Sequence, residues 1–398
     1  MSPEFPQLPR QVRIEKLGRL SGVAADNIPK SGTGRIQVEG FLYSGQSEFY
    51  KVIEQLCNIY LPRLVIDQVS AFLVLHHSDE SVDVHINGVT TTVEILAKRD
   101  LQAGEGIGLS DMADVRKMAF PDTTIEPDDN IVYCFKCGWK FGLYYNFRQT
   151  DGAAGMGIEA LQLTLGSCYK YLTFQEEYSI VEQEDLFSEM VRDGWFPFIQ
   201  LLGPDFRHLS EIYSAGAGQQ RADGLTDFLS RFDDKRIRKV TDRWWKNSLF
   251  QDHREIIDAG IVAYEHGSPA GDIACIKTLH SEIDGILRRT YVIETKSTGG
   301  FDKCVRLVRR KAEGRFSQPG SLGFPDEFAA YMNDVFLAKF DLLADDQTFS
   351  RHSALHGVAK PEDYTRARAL QAILLLDQLY FTLHGTQETP GTEPEDRQ

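Results

Sequence analysis

No apolar run in this chain approaches the roughly 18–20 residues needed to cross a bilayer; Ile373-Leu374-Leu375-Leu376 is cut by Asp377. The opening Met1-Ser2-Pro3-Glu4-Phe5-Pro6 lacks the basic and apolar regions of a secretion signal. Cysteine is scarce and scattered, six in 398 residues, as expected of reduced thiols in a cytoplasmic protein. Positive charge is in deficit: 43 Lys and Arg stand against 58 Asp and Glu, a formal net charge of −15. That balance excludes a generally basic, nucleic-acid-coating protein but leaves room for a local positive cleft. A phosphate-binding loop is missing too. Lys30-Ser31-Gly32-Thr33-Gly34-Arg35 has the residue types but not the Gly-x4-Gly-Lys-Ser/Thr order.

What is present is enough to build cores. Apolar residues make up 42% and aromatics 11%, too much for a disordered chain, and the length suggests two or three domains. The expected fold class is α+β: a mixed α/β region followed by a mostly helical half. Residues 1–45, rich in Pro, Gly and mixed charge, read as an N-terminal arm or a poorly packed edge. Residues 46–183 read as a mixed α/β domain. Val52, Ile53, Leu56, Ile59 and Tyr60 mark one helix face, which Pro62 ends. The run Val69–Leu75 reads as a buried strand or a short helix. Val82–Ile86 and Val89–Ile95 alternate around Asn87-Gly88, a pattern that predicts a β-hairpin. Asn130–Phe147 predicts two further strands.

Two motifs here invite a chemical reading. Cys134-Phe135-Lys136-Cys137 has metal-ligand spacing but no second pair, although His76 and His77 could be recruited in space. Two strand cysteines flanking a turn is the simpler account, and no metal is expected. Gly152-Ala153-Ala154-Gly155-Met156-Gly157 precedes a helix from Ile158, yet lacks any fingerprint acid or lysine and reads as a loop.

Residues 184–385 carry three- and four-residue apolar spacing. The stretch 233–246 holds Lys235, Arg236, Arg238, Lys239, Arg243 and Lys246, a run that reads first as a solvated helix face, and contains Trp244-Trp245, a pair able to stack bases if exposed. Four long helices are then expected: about 252–266; from Pro269 through Leu287; from Phe324-Pro325-Asp326 through Phe328, Tyr331, Val335, Phe336 and Phe340; and from Pro361-Glu362-Asp363 to about His384. Between the second and third lies the strongest basic concentration, Lys303, Arg306, Arg309, Arg310, Lys311 and Arg315, expected to bind RNA. The last helix is apolar around most of its circumference, so it is expected at the centre of a bundle or in a dimer interface. Its Asp377 either faces solvent or pairs with an arginine such as Arg288 or Arg289. Residues 386–398 read as a disordered tail.

Ahead of that last helix stands Ser350-Arg351-His352-Ser353-Ala354-Leu355-His356-Gly357. A permanent cation and two groups that titrate near neutrality lie within six residues, a set suited to phosphodiester cleavage. On an ideal helix His352 and His356 share a face, whereas Arg351 lies about 140° round from His356. The same residues could instead cap and solvate a helix junction.

The string resembles the nuclease signature of HEPN domains, an Arg, a polar residue and a later His, filled here by Arg351, His352 and His356. The resemblance covers about residues 250–385. It implies a four-helix bundle, a metal-independent endoribonuclease without cofactor, and a homodimer with facing motifs. His356 would be the principal acid or base, Arg351 the phosphate ligand and His352 a second proton carrier. Cleavage would leave 2′,3′-cyclic phosphate ends. Relatives of this kind act as bacterial toxins or anti-phage defence effectors, so the first half would be a sensor or regulatory domain for a protein or phage-derived trigger. A non-catalytic HEPN-like dimerisation or RNA-binding scaffold is the alternative.

Overall fold

Strand alternation in the first half builds a sheet with two covered faces. The computed structural model describes residues 11–18, 20–61, 69–148, 157–316, 320–339 and 349–383. By packing, these divide into one unit of residues 1–96 and 115–175 and another of 97–114 and 176–398. The fold class is α+β, with the sheet in the N-terminal region and helices in the C-terminal half.

In the first unit, β1 (Gln11–Ile14), β2 (Val23–Ala24), β3 (Ile36–Gln37) and β4 (Glu39–Tyr43) precede α1 (Ser47–Tyr60). Then come β5 (Phe72–His76), β6 (Val82–Ile86), β7 (Thr92–Ala97), β8 (Met112–Ala119), β9 (Asn130–Cys137), β10 (Lys140–Asn146) and α2 (Ile158–Thr173). The main sheet has the order β1-β6-β5-β9-β10-β4. Residues 11–43 thus supply both of its edge strands. Successive side chains on a strand point to opposite faces. Phe72 and Val74 of β5 therefore join Leu56, Cys57 and Tyr60 of α1, while Leu73 and Leu75 join Leu161, Leu165 and Leu172 of α2. Of the uncertain Val69–Leu75 run, Phe72–Leu75 lies in strand β5, whose two faces are both covered. Gly166 of α2 has no side chain for a reason: a Cβ there would lie 2.6 Å from the backbone of Arg116.

The hairpin expected around Asn87-Gly88 does not form. β6 is flanked by β5 and β1, and β7 pairs with β8 instead. The real hairpin is β5–β6, closed by residues 77–81 with Glu80 at φ 68°. Asn87, at φ 51°, turns the chain away, and its Oδ1 accepts from Ser70 N at 2.7 Å and Ala71 N at 3.2 Å. A turn-forming dipeptide fixes a local reversal, but which strand lies alongside is decided by the covered faces. The strands over 130–147 do form a hairpin, through Gly138 at φ 58°.

The second unit holds α3 (Gln175–Glu182), α4 (Glu184–Arg192), α5 (Pro204–Ser214), α6 (Gln219–Ser230), α7 (Asp234–Thr241), α8 (Ser248–Asp252), α9 (Arg254–Glu265) and α10 (Pro269–Thr295). These are followed by α11 (Phe301–Phe316), α12 (Pro325–Tyr331), α13 (Arg351–Leu355) and α14 (Arg366–Leu383). α10 starts as expected, with Pro269 in its first turn and Ser268 Oγ accepting from Gly271 N at 3.2 Å. It packs on α9, α11, α13 and α14. Three expectations are corrected. The basic stretch is itself a helix, α11, and the helix from Pro325 passes into a π turn and ends at Phe336. The segment opening at Pro361 is a 3-10 turn, with the long helix beginning at Arg366. α14 is buried on every side, and some of its polar groups are paired: Gln378 accepts from Ile199 N at 2.8 Å, and Gln371 donates to Asp193 O at 3.0 Å, while Gln378 Nε2 and Thr382 Oγ1 have no hydrogen-bond partner among the described residues. No helix among the described residues is long and apolar enough to cross a membrane. Residues 386–398, Phe340, the glycine-rich loop over 152–156 and the side chain of Arg315 lie outside the described residues.

Candidate active site

The motif sits on a very short helix that its own sequence locks. Ser350 is extended at φ −146°, its Oγ accepts from Ser353 N at 3.3 Å, and Ser353 Oγ accepts from Ser350 N at 2.8 Å, a reciprocal cap. Gly357, at φ 72°, ends the helix after His356, and Val358 N returns to Ser353 O at 3.0 Å. Tyr364 Oη donates to Ala354 O at 3.0 Å and holds α13 from the other side.

From this platform Arg351 turns inward. It is 8% exposed, and its guanidinium is hydrogen-bonded to Asp284 of α10. Asp284 also accepts from Arg288 Nε at 2.6 Å. Both guanidinium groups lie over the ring of Phe301, at 4.2 Å for Arg288 and 4.6 Å for Arg351. One carboxylate and one aromatic face thus hold two cations, through charge-assisted hydrogen bonds and cation–π contact. Behind Arg351 is a cavity of about 40 Å³ that His280, Arg351 and Arg368 help to line. His280 Nδ1 and Arg351 Nε have no hydrogen-bond partner among the described residues. Burial, then Arg351 and Arg368, push the His280 imidazole down to about 3, so it is neutral at any physiological pH.

His352 faces outward. Its Nε2 lies 3.5 Å from Arg351 Nη1, and its ring is parallel to that of His356, with centroids 6.0 Å apart and planes 8° apart. Partial burial first, then Arg351 and His356, lower its pKa from the ordinary value, with Asp284 opposing. A neutral imidazole that can accept a proton is the result. His352 borders a groove of about 900 Å³ together with Arg306 and Arg309 of α11, Asn333, and Lys339. His356 is exposed and does not line it.

Of the basic residues on α11, the structure brings Arg306 and Arg309 to the motif. Arg309 is already paired with Glu313 and Asp326, at 3.0 and 2.6 Å. Arg306 has no ion pair among the described residues. Lys303 and Arg310 are exposed outside the groove lining, and Lys311 is paired with Glu294 at 2.5 Å. The groove's three cations face two carboxylates, Asp302 and Asp334, so its positive excess is small.

The other sequence candidates resolve differently. Trp244 is fully buried, with its N–H on Asp377 Oδ1 at 2.7 Å, and Arg254 lies over the Trp245 ring at 5.3 Å; Trp244 is unable to stack a base. Asp377 is neither solvent-facing nor paired with Arg288 or Arg289; its partner is Arg243. Cys134 and Cys137 lie three apart on β9, so they belong to opposite faces of the sheet and cannot share one ion. His77 is held by Asp129 at 2.7 Å and Asp83 at 3.2 Å. Asp284, Phe301 and Lys339 went unnoticed in the sequence, because no local pattern ties residues so far apart.

Comparison with models of known families, with curated proteins and with solved structures gives no match for this chain.

Proposed function

We propose that the protein is a metal-independent endoribonuclease of the HEPN type. The observation that carries this reading is His352: an imidazole held neutral beside a buried Arg351, opening on a groove whose cations without an ion pair among the described residues are Arg306 and Lys339. In the reaction His352 takes the proton of a ribose 2′-hydroxyl, the 2′-oxygen bonds to phosphorus, and the bond to the 5′-oxygen breaks. The leaving 5′-oxygen takes a proton from a protonated motif histidine of a second copy. Products are a 2′,3′-cyclic phosphate and a 5′-hydroxyl. Arg306 and Lys339 draw the phosphodiester in, while Arg351 stabilises phosphorane charge from beneath His352. The fixed position of Arg351 makes His352, rather than His356, the groove's first proton acceptor.

A homodimer with facing motifs supplies the full acid and base set. The apolar last helix does not argue for it, since Ile373 and Leu376 are buried within one chain and Tyr380 donates to Arg243 O at 3.1 Å. A cytoplasmic toxin or defence effector, with the sheet unit reading a protein or phage-derived trigger, is the role the resemblance supports.

One observation favours a non-catalytic RNA-binding or dimerisation scaffold: Arg351 is committed to Asp284, and the groove's positive excess is small. Cleavage of labelled single-stranded RNA in EDTA separates the two. The nuclease reading expects His352→Ala to lose about 10²–10⁴-fold in rate, Arg351→Ala and His356→Ala to be impaired, and specific activity to fall on dilution. Cleavage that persists in the His352 and Arg351 variants, or RNA binding with no cleavage by the wild type, sinks it.

A further inference from the structure

Far along the chain from the motif, three segments of the helical unit meet around a second concavity, of about 480 Å³. They are the excursion over 97–114, the turn that leads into α5, and α7 with the turn after it. This volume lies within the ordinary range for a small-molecule site, roughly 300–1,000 Å³. Six cations line it against three carboxylates, Asp111, Asp205 and Asp233, in a chain whose net charge is −15. A local reversal of sign on an acidic protein focuses anions.

The cations differ in how they are held. Arg99 is paired with Asp111 and Glu105, each at 2.7 Å. Arg236 is bound to Asp205 and Arg243 to Asp377, so these three are fixed in place as positive walls. Lys235 and Lys239 are one helical turn apart on α7, exposed, and without an ion pair among the described residues. Lys98 is different again. It is 5% exposed, its Nζ donates to Leu202 O at 2.7 Å, and no carboxylate among the described residues comes within ion-pair distance. Burying an ammonium group whose direct hydrogen bond is to a carbonyl is costly, and Asp205 and Glu177 offset that cost only through longer-range attraction. Burial pushes its pKa down to about 8. An anion in the concavity would add a directly bonded counter-charge. Leu202, Pro204 and Val240 give the same space an apolar side.

We propose that this concavity binds a nucleotide-class ligand, with its phosphates on Lys98, Lys235 and Lys239 and its ring against Leu202, Pro204 and Val240. The site is separate from the His352 groove and does not depend on the nuclease reading.

Titration calorimetry of the full chain with ATP, GTP, inorganic triphosphate and adenosine tests it. At least one nucleoside triphosphate should bind saturably, more tightly than triphosphate, and adenosine should not bind. Lys235→Glu with Lys239→Glu, both exposed positions, should weaken binding by about tenfold or more. Lys98→Met, which keeps the stem and removes the charge, should weaken it too. Arg306→Ala, in the other groove, should leave it unchanged. No saturable binding of either nucleotide up to about 1 mM overturns the proposal. So does affinity untouched by the double variant, or lost with Arg306→Ala alone. Equal affinity for triphosphate and for the nucleotides overturns the nucleotide assignment, since the apolar wall would then hold nothing.

Discussion

Trp244 Nε1 donates to Asp377 Oδ1 at 2.7 Å, in the interior, from a residue 133 positions away. The same carboxylate receives Arg243 and accepts from Gln200 Nε2 at 3.0 Å, and it is fully buried. Three donors therefore balance one buried charge, which explains how α14 carries an aspartate in its most apolar stretch. Asp377→Ala should cost about 3–5 kcal/mol, since it leaves Arg243 in the interior without its partner. Denaturant unfolding reads the loss, and Asp377→Asn, which retains acceptor capacity, should lose less. An unchanged midpoint in Asp377→Ala would mean that the network contributes nothing.

Asp284 does the equivalent work for the motif. Asp284→Asn removes the counter-charge from Arg288 and Arg351 and should destabilise the protein by about 1–3 kcal/mol. It also removes the one group named above that raises the His352 pKa. By NMR, His352 should titrate below the ordinary histidine value in the wild type and lower still in the variant. A midpoint that rises in the variant contradicts the geometry.

His280 predicts a pH dependence of stability. Its folded pKa, about 3, lies well below the unfolded value of roughly 6.5. Between those values the unfolded chain binds the proton and the folded chain does not, so stability falls as pH drops through this window. The slope from this residue is on the order of 1 kcal/mol per pH unit. Arg351 and Arg368 reinforce it, because both disfavour a charged imidazole. His280→Phe, packed between Phe336 and Phe349, should remove that part of the slope and stay near wild-type stability at pH 7. Parallel unfolding curves for the two proteins from pH 7 to 4 would refute the assignment.

The thiols make a fourth check. Cys57, Cys134, Cys168, Cys275 and Cys304 are buried, and burial raises each of their pKa values, to about 12 for Cys134, Cys168 and Cys275. A buried thiol with a raised pKa is slow to react. In the native protein an aromatic disulfide reagent should label Cys137 first, and Cys137→Ser should abolish the fast phase. Rapid labelling of Cys134 would show that the sheet opens there.

What the sequence determined by itself is local. Helix α1, the start of α10 at Pro269 and the two strands over 130–147 were all legible. Each depends on periodicity, capping or turn chemistry acting over a few residues. The α+β division followed from the change of period along the chain. The all-round burial of α14 followed from its apolar circumference. Packing alone decided the rest. Asn87-Gly88 marked a turn, yet the neighbour of β6 was chosen by which faces α1 and α2 cover. The basic stretch now forming α11 showed its charge but hid its helix, whose buried side is supplied by α10, α12 and α14. Asp377 announced an energetic problem without naming Arg243 and Trp244 as the solution. Arg351 looked free to meet a phosphate until Asp284, 67 positions earlier, took hold of it. Residues this distant are brought together by burial of the surfaces between them, and burial has no signature within a short window of sequence.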